Sequence, residues 1–387
     1  MNSRPLMVGW GHTPFGKHDA LDLEQLFREA AQPALAMAGV APSDIDGIFV
    51  GTFNAGFVPQ DFSATTAALA MPEFRHTPAV RLENACATGS AALWAGLDAL
   101  LSGRMKRVLV VGMEKMNTLP NAQIGEVLLK CSYVKEEAGR PGGFAGIFGL
   151  IAQSYAERFG DPSDALARIA AKNHANGVRN PWAHLRRDLG YDFCRQVSEK
   201  NPVVAGLLKR SDCSLVSDGA AAVVLALEPT GSGPVVRWKS RTHVNEWLPL
   251  SRRDPTRFEG AALAWQKGLA DAGLRLDDVN VVETHDCFTV AELLAYEAMG
   301  LAPQGQGGRV IEQGLTAFDG RLPVNPSGGL KSRGHPIGAT GVSQHVMMAM
   351  QLSGTAGEMQ VPSAHVGAVF NMGGAAVANY LSVLEAA

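Results

Sequence analysis

What this sequence lacks narrows its function first. It has only five cysteines in 387 residues, at positions 86, 131, 194, 213 and 287, with no CxxC pair and no Cys/His ligand cluster. That argues against a disulfide framework or a zinc site and fits a reducing compartment. No run of about 18 apolar residues exists for a membrane span. The opening Met-Asn-Ser-Arg-Pro-Leu-Met-Val has no apolar signal core, and the closing Glu385-Ala386-Ala387 is not a peroxisomal address, so the expectation is a cytoplasmic protein. Neither charge dominates: 34 Lys and Arg against 37 Asp and Glu leave a net charge of -3, which makes no electrostatic case for nucleic acid or an anionic membrane. No G-x-G-x-x-G follows a strand and no Gly-Lys-Ser/Thr loop is present, so nicotinamide and nucleotide readings fail.

What is present describes a large folded core. Hydrophobic residues make up 46% and charged residues 18%, enough for two core-forming domains. The 43 glycines cluster in loops next to small-residue helices, a sign of close backbone approach rather than disorder. The chain also repeats itself. Leu35, Ala38, Gly39, Asp44 and Ile45 match Leu269, Ala272, Gly273, Asp278 and Val279 at constant spacing, each set leading from a helix into a short strand. Ala87-Thr88-Gly89 returns as Ala339-Thr340-Gly341, each opening a helix. Asp218 to Val223 echoes Gly373 to Val377, each expected to start an apolar strand. Three echoes in one order imply two similar α/β halves, 1–230 and 231–387, with strand and helix alternating in each. The first half is longer. Its excess, about 117–211, reads as an insertion with helices near Phe148–Phe159 and Ser163–Asn176. The insertion's cationic tip, Arg186-Arg187 and Lys209-Arg210, reads either as a solvated face or as a holder of phosphates.

Three stretches carry residues suited to chemistry. Cys86 sits in Glu83-Asn84-Ala85-Cys86-Ala87-Thr88-Gly89-Ser90, between a short strand and a small-residue helix, where free N–H groups and the helix dipole favour a thiolate. A buried cysteine in a tight turn explains the same stretch. His335 lies between glycine-rich loops in Asn325 to Gly341, either at a ligand or bonded to backbone. His285 and Cys287, in Glu283-Thr284-His285-Asp286-Cys287-Phe288, end a buried strand, the usual place of α/β active sites, although core packing and helix capping account for them too.

Taken together, these motifs resemble the thiolase superfamily, most nearly its sterol-carrier-protein branch and the bacterial and archaeal relatives. Asn84 to Gly89 resembles the nucleophile motif, His285-Asp286-Cys287-Phe288 the motif that replaces Asn-Glu-Ala-Phe in this branch, and Gly334 to Ala339 the histidine motif. The resemblance covers nearly the whole chain. It implies a thiolase-like fold, two βαβαβαββ halves in α-β-α-β-α layers with an inserted loop domain. It implies an acyltransferase in which Cys86 takes the acyl group and His335 takes its proton. His285 and His335 would hold the enolate oxygen, Cys287 would serve as acid and base, and the N–H groups of Cys86 and Gly373 would form a second oxyanion hole. Ser214, Phe148 and Asn325 would contact substrate. One motif departs from most thiolases: Phe370-Asn371-Met372-Gly373-Gly374 stands in place of Cys-x-Gly-Gly, and in this branch the missing thiol's task passes to Cys287. By the same resemblance, CoA and acyl-CoA are substrates with no tightly bound cofactor or metal. The protomers form a homodimer or tetramer through the first-half sheets, and some relatives work with a zinc-ribbon/OB-fold partner. The competing functions are acyl transfer to a non-CoA acceptor, a steroid-CoA retro-aldolase, and a non-catalytic acyl-CoA-binding scaffold.

Overall fold

The computed structural model describes residues 4–387; Met1 to Ser3, part of the opening stretch read for a signal core, lie outside them. Eleven strands form: β1 (Leu6–His12), β2 (Gly47–Gly51), β3 (Ala79–Leu82), β4 (Arg107–Glu114), β5 (Val203–Ala205), β6 (Leu208–Lys209), β7 (Gly219–Ala226), β8 (Val236–Asn245), β9 (Val281–Glu283), β10 (Val366–Gly373) and β11 (Ala378–Ala386). Nine of them make one sheet in the order β3-β2-β4-β7-β1-β8-β11-β10-β9, while β5 and β6 form a small hairpin. The seam is the short pairing of Leu6 and Met7 with Arg237 and Val236.

Read outward from that seam, the two sides repeat each other. On one side β1, β7 and β4 are antiparallel neighbours and β2 and β3 add on in parallel. On the other, β8, β11 and β10 are antiparallel and β9 adds on in parallel. A lone parallel bridge from Val282 to Val324 takes the outermost place that β3 fills in the first half.

The local chemistry repeats as well. Helices Leu23–Ala38 and Glu259–Ala272 both end on a left-handed glycine, Gly39 at φ 65° and Gly273 at φ 67°. After each glycine, an aspartate, Asp44 or Asp278, turns its carboxylate back onto a backbone N–H of a short 3-10 turn. The first helix packs on β1, β4 and β7, and the second on β8 and β11, forming the outer layers. Between the two sides of the sheet lie helices Thr88–Leu101 and Ile337–Leu352, packed on each other. Every residue of Ile337–Leu352 is buried, as a helix with protein on all sides must be. Its buried histidine is paired at both ring nitrogens: His345 meets Gly341 O at 2.7 Å and Ser382 Oγ at 2.8 Å.

Where these central helices cross, the twin glycines explain themselves. A Cβ on Gly89 would lie 2.7 Å from Val342 N, and one on Gly341 2.3 Å from Ser90 N. Only glycine allows the two helix starts to approach this closely, and those starts carry Cys86 and His335.

Two expectations change. The Gly373–Val377 echo is not the start of a strand but the tight turn of the β10–β11 hairpin, with Gly374 at φ 61° and Ala376 at φ 57°. The first half has no such turn: β4 and β7 pair with Glu114 opposite Gly219, and the long inserted segment takes the turn's place. The insertion therefore rises from the end of the sheet that carries the chemistry. It is also more helical than its sequence suggests, because Asn121–Leu129 and Gly190–Arg195 form helices and the third begins at Gly143 rather than near Phe148. The glycines on both sides of Phe148 let this helix lie close to Ala205: a Cβ on Gly142 would be 3.2 Å from the Ala205 Cβ, and one on Gly149 3.0 Å from the Ala205 backbone. Among the described residues, no helix is long and apolar enough to cross a membrane.

Candidate active site

Cys86 follows β3 and precedes helix Thr88–Leu101, and the turn that presents it includes Ala85 in a left-handed conformation at φ 47°. The helix start has no side-chain cap, so its free N–H groups favour negative charge nearby. His285 comes two residues after β9, and His335 two residues before helix Ile337–Leu352. One ligand atom from each of Cys86, His285 and His335 lies within 4.8 Å of the others, with all three residues buried. The two imidazole rings stand nearly perpendicular, 5.1 Å apart. A Cys/His/His trio also suits a zinc ion, but the histidine hydrogen bonds below explain the arrangement as acid–base chemistry.

The His335 ring is oriented by Thr340. Thr340 Oγ1 donates to Pro336 O at 2.9 Å, so it can only accept from His335 Nδ1, which lies 2.7 Å away. The proton therefore sits on Nδ1, and Nε2, which has no hydrogen-bond partner among the described residues, presents a bare lone pair. Burial holds the His285 ring neutral, its pKa lowered to about 4. The Cys86 thiol is also held well below its ordinary value, which for a thiol favours the charged form. The Cys131 thiol beside it is the largest cause, followed by His285 and His335, and together they outweigh burial. Cys131 itself is held well above its ordinary value by the same contact and by burial, so it keeps its proton. Replacing Cys131 with Ala is expected to raise the pH midpoint of iodoacetamide alkylation at Cys86 by about one unit. A profile superimposable on that of the unaltered protein would make Cys131 a bystander.

Cys287 lines the same cleft as Cys86 and His335, with Phe144, Phe288 and Ser214 in the wall; its volume is about 280 Å³. Burial is the main cause that pushes the Cys287 thiol well above its ordinary value, so at neutral pH it holds a proton to give. Gly373 packs on the Cys86 turn, where a Cβ would come within 2.5 Å of Asn84 O.

Two expected substrate contacts lie elsewhere. Phe148 stands one layer back, its ring stacked on Phe288 at 4.5 Å, and Phe144 supplies the wall instead. Asn325 does not line this cleft; it is buried with its carboxamide accepting from Thr284 N and donating to Glu292, each at 2.9 Å. The cationic tip also divides. Lys209 is buried and paired with Asp212 at 2.9 Å, whereas Arg187 and Arg210 join Lys200 and Lys331 in a neighbouring cleft of about 370 Å³. The two clefts share the wall residues Arg210, Cys213 and Leu215.

This geometry coincides with a known family. Residues 6–189 match the thiolase N-terminal domain and residues 242–386 the thiolase C-terminal domain-like family. An acetyl-CoA acetyltransferase of Methanothermobacter thermautotrophicus is 35% identical, over 95% of this chain and 96% of its own length. The chain belongs to the thiolase family. Rabbit (Oryctolagus cuniculus) sterol carrier protein 2 is 32% identical, over 97% of this chain and 71% of its own length. Among solved structures, the Ltp2-ChsH2(DUF35) aldolase superposes with a TM-score of 0.80 at 20% identity, over 99% of this chain and 98% of that one, a likeness of fold.

This thiolase is an acyltransferase, and several residues that build its site have no motif of their own. Glu114, at the end of β4, accepts from Thr52 Oγ1, the N–H groups of Phe53 and Asn54, and Gly338 N at 2.9 Å. It thus ties the His335 helix to the first half, and burial raises its carboxyl to about 7. Asp286 accepts from Leu330 N at 2.6 Å and Asn173 Nδ2 at 2.8 Å, joining the His285 segment to the His335 loop. Gly329 makes room for that carboxylate: a Cβ there would be 2.3 Å from Asp286 Oδ2. A buried carboxylate that faces backbone N–H groups from distant segments leaves no periodic trace in sequence.

Proposed function

We propose that this protein transfers acyl groups through a Cys86 thioester, cleaving 3-ketoacyl-CoA with CoA or running the reverse Claisen condensation. The observation that carries the proposal is the buried trio of Cys86, His285 and His335 within 4.8 Å, of which Cys86 and His335 line an apolar cleft. His335 Nε2 takes the Cys86 proton, and the thiolate attacks the 3-keto carbon. The bond between C2 and C3 breaks, leaving the acyl group on Cys86 and an enolate whose oxygen is held by His285 and by His335, now protonated. The Cys287 thiol protonates the enolate carbon, and its thiolate then takes the proton of the incoming CoA thiol. CoA sulfur attacks the thioester and releases acyl-CoA and Cys86. In both acyl-transfer steps the tetrahedral oxygen faces the N–H groups of Cys86 and Gly373, donors of a kind typically worth about 2.7–4 kcal/mol of barrier each.

Ser214 and the apolar wall of the cleft suit pantetheine, and the neighbouring cationic cleft of Arg187, Lys200 and Arg210 suits the CoA phosphates. We place the protein in the cytoplasm, where its five free cysteines would remain reduced. We also read it as a homodimer joined across β3. That strand is the free edge of its half, and Val80 and nearby Phe62, Leu69 and Leu101 are exposed apolar residues.

The test is direct. After incubation with acetyl-CoA, the peptide holding Cys86 is expected to gain one acetyl group, to lose it when CoA is added, and to remain unmodified in Cys86→Ala. Acetylation that CoA does not reverse would redirect the transfer to another acceptor. No acylation by any acyl-CoA would sink the proposal.

A further inference from the structure

Asn371 lies on β10, in the stretch Phe370-Asn371-Met372-Gly373-Gly374 that stands in place of Cys-x-Gly-Gly. The carboxamide is held on three sides. Ser90 Oγ donates to Asn371 Oδ1 at 2.7 Å, and that end is the oxygen because the opposite end meets Cys86 O, which can only accept. The other end, Nδ2, then points one N–H at Cys86 O, 3.2 Å away, and the other at His285 Nδ1, 2.9 Å away. Both partners can only accept in this arrangement: a carbonyl oxygen has no proton, and an imidazole nitrogen facing an N–H must offer its lone pair. Gly341 permits the fit, since a Cβ there would come within 2.6 Å of Asn371 Oδ1.

We propose that Asn371 is a positioning residue that locks His285 in the tautomer with its proton on Nε2, making His285 a permanent hydrogen-bond donor to the reacting oxygen. The inference deepens the acyl-transfer reading above and rests on it for the identity of that oxygen. His285 Nε2 is buried with no partner among the described residues, so its N–H remains available to the substrate or to the Cys86 sulfur. His335 is held in the opposite tautomer by Thr340. The two rings therefore divide the work: His335 accepts and returns a proton, and His285 only donates a hydrogen bond. A thiol at position 371 has a single proton and cannot meet Cys86 O and His285 Nδ1 together. On this view the asparagine is not a gap left by a lost acid but a separate solution to orienting the second histidine. Burial keeps the His285 ring neutral, so the donor role persists across working pH.

The proposal is tested on substrate-free protein, so that it stands or falls apart from the reaction assigned to it. With 15N-labelled histidine, long-range proton–nitrogen correlation spectra report the tautomer of each ring, and the His285 signals are identified by their loss in His285→Gln. The expected result is a neutral ring protonated at Nε2. A His285 proton on Nδ1 in the unaltered protein would overturn the proposal without any variant. In Asn371→Asp the carboxylate accepts from Nδ1, so the ring should either carry its proton there or titrate more than about one pH unit higher. An unchanged, neutral Nε2–H ring in that variant would also overturn it. Where acyl transfer is measurable, Asn371→Asp should reduce kcat by roughly 100-fold with KM within about threefold, because the donor acts on charge that develops in the transition state.

Discussion

A His335→Gln variant should lose about 100- to 10,000-fold in kcat/KM for acyl transfer, the range typical of a removed acid–base group. The reason lies in what glutamine can and cannot reproduce. Its amide takes the place of Nε2 rather than Nδ1, so Thr340 Oγ1 loses the donor 2.7 Å away but keeps its own bond to Pro336 O, which should hold the loop. It has no lone pair basic enough to take the Cys86 proton, and as a neutral amide it stabilises the enolate oxygen less than an imidazolium does. Because Cys131 and His285 also hold Cys86 toward the thiolate, nucleophile formation is only part of the loss. The remainder falls on the enolate step, so raising the pH should recover the acylation of Cys86 by acetyl-CoA more than it recovers complete turnover. Stopped-flow acylation and steady-state assays from pH 7 to 9 would separate the two. A loss below about tenfold would remove His335 from the role of base.

The parts of this thiolase that are legible in its sequence are those with local grammar. The helix–glycine–aspartate phrase recurs because two helices need the same left-handed end, and the threonine–glycine pairs recur because two helix starts cross at van der Waals distance. Cys86, His285 and His335 stand out because each lies where a strand or loop gives way to a helix. What stays hidden is pairing across the chain. Asn371 reads as a lost cysteine until Ser90 and His285 are seen on either side of it. Cys131 reads as an isolated thiol in an insertion, although it lies beside the nucleophile and favours its thiolate. Asn325 and Phe148 show the reverse: their positions match the family's expected substrate region, but the carboxamide is bonded to Thr284 and Glu292, the ring stacks on Phe288, and neither lines the cleft. Identity at a motif position does not fix the direction of a side chain, which depends on what packs against it.

The same logic makes the buried pair Glu283–Arg333 the most stability-critical contact at the site. Glu283 ends β9 two residues before His285, and Arg333 precedes His335 by two, so their contact sets the spacing of the histidine loops. Arg333 Nη1 lies 3.1 Å from Glu283 Oε2, both side chains are fully buried, and Ser327 Oγ joins them by donating to the carboxylate at 2.7 Å. Burial raises the Glu283 carboxyl from its usual range, with Arg333 and Ser327 pulling it back. A guanidinium cannot shed its charge in the same way. Glu283→Gln therefore leaves a buried cation without its counterion and should lower the unfolding free energy by about 3–5 kcal/mol, read as a shift in the urea midpoint. The double variant Glu283→Leu/Arg333→Met removes both charges, and packing can recover much of that loss. If stability alone were at stake, it would restore activity along with the fold. We expect the double variant to regain its midpoint but not its full kcat, because apolar contacts do not reproduce the fixed separation that places His285 and His335 5.1 Å apart. A Glu283→Gln midpoint unchanged within about 1 kcal/mol would show that the pair is dispensable to the fold, and a fully active double variant would show that it is dispensable to the site.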